Sequence, residues 1–295
     1  MGIKFALIAN ASIFHYLVVG HRQDAQSGPK RDPMSIKIKT PEEIEKMRVA
    51  GQLAADVLVM IAPHVKAGVT TDELNTLCHD YIVDVQQAIP APLNYHGFPK
   101  SICTSVNDVI CHGIPNHKKL REGDIINLDI TVIKDGYHGD TSAMFIVGQT
   151  TPLRRQLCKV AQDSLYAAIK RVRPGMCITE IGAVIQPIVE QAGFSVVRDY
   201  CGHGIGAEFH EEPQILHYRN GGKLELKAGM CFTIEPMVNS KKYHCKVNPK
   251  DGWTVTTKDG GDSAQWEHTL LVTEDGCEVL TLRPDDTIER FIRHV

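Results

Sequence analysis

The chain has 295 residues, enough for one large hydrophobic core or two modest ones. Lys and Arg number 32 against 35 Asp and Glu, a formal charge of −3, so no basic field argues for nucleic acid. The 9 cysteines are an odd number with no CxxC pair, which disfavours a zinc ribbon or a disulfide framework and favours reduced, buried thiols.

The N-terminal stretch 1–33 differs from the rest. Residues 5–19 are apolar but interrupted by Asn10 and His15, and they are too short to span a bilayer as a helix. A polar, Pro/Gly-bearing segment follows, and Met34 opens a regular pattern. Residues 1–33 read as a non-conforming extension, disordered or an over-extended start. A targeting segment or an added structural arm are the alternatives.

Thr40-Pro41-Glu42-Glu43 predicts a helix start, with Thr40 as N-cap, Pro41 at the first turn and Glu43 closing a capping box. Apolar residues from Ile44 to Leu58 then recur at helical spacing. Gly68 and Thr70-Thr71-Asp72-Glu73 predict a second helix through Val85. The segment 101–148 reads as strands, and Asp135-Gly136 is the strongest hairpin turn signal in the chain. Helices are expected over 153–172 and 179–191, then strands at 202–206, 230–238, 252–257 and 265–273. Helices and strands in alternating blocks predict an α+β fold.

Five potential metal ligands are spread through these elements: Asp129, Asp140, His203, Glu235 and Glu267. Two Asp, two Glu and one His are too rich in carboxylate for a structural zinc site, and suit a pair of divalent cations in a hydrolytic centre. With Asp135 and Gly136 as turn residues, Lys134 pairs with Tyr137, Thr131 with Asp140 and Asp129 with Ser142. Asp129 and Asp140 then share a face as diagonal neighbours, roughly 7–8 Å apart. From the hairpin alone, two solvated aspartates on an open sheet face are the more usual reading. His203 sits between glycines in CGHGIG, where a lone histidine is more often structural. Glu235 and Glu267 lie in apolar runs, costly if buried unless paired or metal-bound, and unremarkable on an edge strand facing water. HEEP at 210–213 lacks the second histidine of a zinc-binding helix.

Together, HGIP, NLDITVIKDGYHGDTS, YCGHGIG, HEEP, FTIEPM, DGWTV and EHTLLVT stand in the order of a known family. From Ser35 to Val295 the chain resembles the methionine aminopeptidases of the pita-bread metallopeptidase family. The resemblance implies two similar α+β halves around a central antiparallel sheet, with residues 34–295 as a single catalytic domain. It implies that Asp129, Asp140, His203, Glu235 and Glu267 bind two divalent ions, of Co, Mn, Fe or Zn, with Asp140 and Glu267 bridging. His112 and His210 are implied to contact substrate, His210 at the carbonyl oxygen and His112 at the scissile nitrogen, with Glu235 shuttling a proton.

Tyr95, Phe98, Cys103, Phe209 and Trp253 match the family's methionine pocket. Phe98 stands where tyrosine is common, and Pro92 where bacterial relatives carry cysteine. Asn107, Val109 and Ser263 resemble a monovalent-cation site for Na or K. The short interval from His203 to Glu235 resembles the bacterial type 1 enzymes. The implied activity is removal of N-terminal methionine from nascent chains near the ribosome, before a small second residue. The implied protein is a cytoplasmic monomer without DNA or membrane partners. The rivals are an aminopeptidase P or prolidase, which usually carries an extra N-terminal domain, and a metal-free binding protein on the same fold, which would have lost ligands.

Overall fold

The computed structural model describes residues 36–294. The expectations for residues 1–33 and for Met34 as the start lie outside the described residues. Helix α1, Pro41–Ile61, begins as its sequence predicts. The Thr40 hydroxyl accepts the Glu43 N–H, and the Glu43 carboxylate accepts the Thr40 N–H. Helix α2, Thr71–Asp80, repeats the capping box with Thr70 and Glu73, and a π turn carries it to Val85. Helices α3, Pro152–Ile169, and α4, Thr179–Gln191, form a packed pair. Helix α3 ends before the expected residue 172, where the Arg171 and Val172 N–H groups turn to the Ala168 and Ile169 carbonyls three residues back.

The hairpin Ile125–Lys134 and Tyr137–Ile146 has the predicted register, with Lys134 opposite Tyr137, Thr131 opposite Asp140 and Asp129 opposite Ser142. Asp135 and Gly136 both take positive φ, 50° and 80°, as a type I′ turn requires. Helix α1 lies directly on this hairpin. A Cβ on Gly139 would come within 2.2 Å of the Ala50 backbone, so glycine permits the contact. Met47, Ala50, Ala54, Val57 and Leu58 face inward along the helix.

The second half is an antiparallel sheet in the order Phe291–Arg293, Gly276–Val279, His268–Val272, Cys231–Ile234, Gly202–Gly204, Glu211–Ile215. Two of its expected strands are split. The 230–238 run breaks at Glu235-Pro236 into Cys231–Ile234 and Met237–Asn239, because proline cannot donate to a ladder. The 265–273 run breaks into Ser263–Gln265 and His268–Val272, around Glu267. Thus neither glutamate lies within a strand; each sits at a strand junction. Of the buried apolar clusters, the two largest join α1 and α2 to the hairpin and α3 and α4 to the second sheet, and Trp266 packs against both. The two halves meet where the Glu267 N–H donates to the Ser142 carbonyl at 3.2 Å. All nine cysteines are free. Among the described residues no helix is long and apolar enough to cross a membrane.

Candidate metal centre

The seam between the halves is where the predicted ligands converge. Asp129, Asp140, His203, Glu235 and Glu267 all line one cavity. Asp140, His203 and Glu267 can bring one ligand atom each within 4.8 Å of one another. His203 Nε2 is 3.7 Å from Asp140 Oδ2 and 3.6 Å from Glu235 Oε1. Asp129 stands outside the tight trio and is half-buried, while the other four residues are buried.

Three of the five donors are held by specific partners. His203 Nδ1 lies 2.9 Å from the Gly204 carbonyl, so it carries the ring hydrogen and leaves the Nε2 lone pair facing the carboxylates. Burial pushes the His203 pKa down to about 4, so the ring is neutral, the form that ligates metal. Thr131 Oγ1 donates to Asp140 Oδ1 at 2.8 Å. Thr233 Oγ1 donates to Glu235 Oε1 at 2.7 Å and accepts the His203 N–H at 3.0 Å. Gln265 Nε2 donates to Glu235 Oε2 at 3.1 Å, and the Glu235 N–H donates to His217 Nε2 at 3.1 Å.

The electrostatics show what this donor set needs. Burial first, then mutual repulsion, pushes Asp140 and Glu267 well above the carboxylate range. Burial alone pushes Asp129 up to about 7, and burial with the Asp129 charge pushes Glu235 up to about 8 against its hydrogen bonds. Among the described residues no lysine or arginine pairs with any of the four. Four carboxylates without a cationic side chain are compatible with ionisation only if cations come from outside. Oxygen donors with a single imidazole fit divalent first-row metals.

The cavity wall holds the remaining predicted residues: Tyr95, Phe98, Cys103, His112, Phe209, His210 and Trp253. Phe98 and Cys103 are buried. Phe98 meets Trp253 edge to face at 5.3 Å between ring centres, and Tyr95 meets Phe209 at 4.9 Å. The Tyr95 hydroxyl and His210 Nδ1 lie 2.8 Å apart. Burial pushes His210 well below the ordinary histidine range, and His112 down to about 4. His112 takes a positive φ of 55° and packs against Tyr200 and Trp253. Tyr200 and Met237 also line the cavity. Sequence reasoning missed both, although each lies within three residues of a predicted ligand. It missed Thr233 as well, two residues before Glu235, a spacing that a period-two count would flag. Away from the cavity, the Ser263 N–H donates to the Asn107 carbonyl at 2.8 Å, so two of the three residues expected at a monovalent-cation site are in contact. Val109 opens the short strand Val109–Cys111 two residues later.

A model of metallopeptidase family M24 matches residues 45–274. The methionine aminopeptidase of Escherichia coli (strain K12) is 61% identical over 263 residues, covering 88% of this chain and 99% of that protein. The crystal structure of methionine aminopeptidase from Rickettsia prowazekii superposes with a TM-score of 0.82 at 55% identity, covering 84% of this chain and 100% of that one. The Thermotoga maritima methionine aminopeptidase structure gives 0.82 at 40% identity, with 84% and 100% covered. The α+β architecture is therefore the pita-bread fold that the sequence motifs implied.

Proposed function

The chain belongs to metallopeptidase family M24, and from that premise we propose that it is a methionine aminopeptidase, hydrolysing the first peptide bond of proteins and peptides that begin with methionine. The observation that carries this is the convergence of four carboxylates and a neutral histidine in a cavity whose wall is aromatic and thiol-lined. Asp129, Asp140, His203, Glu235 and Glu267 would hold the metal. When bound, a pair of divalent cations supplies a nucleophile at neutral pH and polarises the scissile carbonyl.

The chain's own residues do the rest. Tyr95, Phe98, Cys103, Phe209 and Trp253 offer an apolar, polarisable slot, and thioether–aromatic contacts favour methionine within it. With the Tyr95 hydroxyl donating to Nδ1, neutral His210 carries its hydrogen on Nε2 and donates to the carbonyl oxygen as negative charge grows there. His112, anchored between Tyr200 and Trp253, holds the scissile nitrogen. Glu235 receives the proton of the attacking water and passes it towards the leaving amine.

Residues 34–295 act as one catalytic domain in this account, with residues 1–33 as an extension. The metal is Co, Mn, Fe or Zn, and Asn107, Val109 and Ser263 serve a monovalent cation, Na or K. The protein works as a cytoplasmic monomer on nascent chains near the ribosome, preferring a small second residue. The test compares Met-Ala-Ser with Ala-Pro peptides, with and without chelator. Release of methionine that chelator abolishes is expected. Chelator-resistant turnover, or a preference for Xaa-Pro, would overturn the assignment.

A further inference from the structure

Phe209 and His210 lie on a loop, residues 205–210, that has no regular secondary structure. No ladder fixes it. Its entry is held at Gly206, whose carbonyl accepts the His138 N–H at 2.9 Å. Its exit is held by Glu211. Glu211 Oε1 accepts the Glu208 N–H at 3.3 Å, so the carboxylate closes the chain around Phe209 and His210.

Glu211 is in turn gripped from outside the loop. Lys39 Nζ donates to Glu211 Oε2 at 2.7 Å, with side-chain exposures of only 3% and 5%. Lys37, largely exposed, reaches Oε1 at 3.3 Å. Gly206 leaves the slot open for the lysine: an added Cβ would come within 2.6 Å of Lys39 Nζ and 2.8 Å of Glu211 Oε1. Lys39 is itself anchored, since its N–H donates to the Gly229 carbonyl at 2.8 Å and the next residue caps α1. A buried ion pair is a poor way to add stability, because desolvation offsets most of the attraction. Here it joins the start of a helix to a segment of the site wall that has no regular secondary structure.

We infer that Lys39 is a positioning residue: through Glu211 and the Glu208 N–H it holds the 205–210 loop so that His210 faces the cavity beside Tyr95. The inference rests on the role given to His210 above. It makes the strap of residues 36–39, which contributes nothing to the cavity wall, part of the machinery for turnover. Consistently, although burial pushes Glu211 up, its pKa stays below the ordinary range, because the Lys39 hydrogen bond and charge together with the Glu208 N–H and Lys37 outweigh it.

The test is a mutant cycle on metal-loaded protein with Met-Ala-Ser as substrate. Lys39→Met is expected to lower kcat about 10- to 100-fold with KM little changed, the cost of a misplaced group. In a His210→Ala background the same substitution should cost nothing further, because both act at one point. Removing one partner of a buried pair also destabilises, so the neutral pair Lys39→Met/Glu211→Gln is the second variant. It should stay folded and keep the low kcat. Unchanged kcat in Lys39→Met, restored kcat in the neutral pair, or a fully additive loss with His210→Ala would overturn the positioning role and leave Lys39 a purely structural contact. Full activity of His210→Ala would overturn the role of His210 and this inference with it; an impaired His210→Ala with additive behaviour sinks the inference alone.

Discussion

Glu267 and His268 are neighbours in sequence, yet they serve buried ionic clusters of opposite kind. Glu267 faces the cavity with Asp129, Asp140, Glu235 and His203. His268 faces away, where Asp286 is met by the Arg283 guanidinium at 2.7 Å and by the Tyr166 hydroxyl at 2.7 Å. The two clusters nearly touch. Thr141, next to Asp140, accepts from Arg283 at 3.3 Å and donates to the Glu267 carbonyl at 2.7 Å. Both are equally deep, with Asp286 and Glu267 almost fully inaccessible. The rear cluster carries its own cation. The front one has surplus negative charge and, among the described residues, no cationic side chain paired with it. Burial alone therefore does not mark a functional site; unbalanced burial does.

The largest effect that can test this contrast is Asp140→Ala. Turnover should fall to background while the protein stays folded, and the metal-free variant should be at least as stable as metal-free wild type, since one repelling carboxylate is gone. Activity assays and thermal melts check both halves, and full activity would remove Asp140 from the centre. In the rear cluster the same kind of truncation should act on stability instead. Arg283→Met strands the Asp286 charge and is expected to cost about 3–5 kcal/mol of unfolding free energy, read by denaturant titration, with metal affinity retained.

Weaker effects sharpen the boundary between the clusters. Thr233→Val removes the hydroxyl shared by Glu235 and His203, and should reduce metal affinity or turnover about 10- to 100-fold with little loss of stability. A separate effect is on pH dependence. In the metal-free protein the front carboxylates keep protons that the unfolded chain releases, Asp129 up to about 7 and Glu235 up to about 8. The folded state thus binds more protons across that window, so its stability is present at low pH and declines as pH rises from about 4 to about 8. Melts of chelator-treated protein should show this decline, and metal-loaded protein should not.

The sequence carries some of this contrast and hides the rest, for physical reasons. The Asp129–Asp140 pairing was legible because an Asp-Gly turn sets the register of everything above it. The capping boxes at Thr40 and Thr70 were legible for the same reason, being local. Glu235 and Glu267 were recognisable as costly residues in apolar runs, but not as strand-junction residues. Pro236 supplied that clue for Glu235. The rear cluster was not legible, since Tyr166, His268 and Asp286 come from separate elements and look like ordinary surface chemistry in the chain. Lys39 was equally silent: nothing in the sequence near it announces that its partner lies 172 positions away.

The most direct measurement is anomalous diffraction from crystals of this protein grown with manganese. Metal density within bonding distance of Asp140, His203 and Glu267, with none at Asp286, is the predicted result. Density at Asp286, or an empty carboxylate cluster in the presence of saturating manganese, would contradict the claim that the unbalanced cluster is the metal centre.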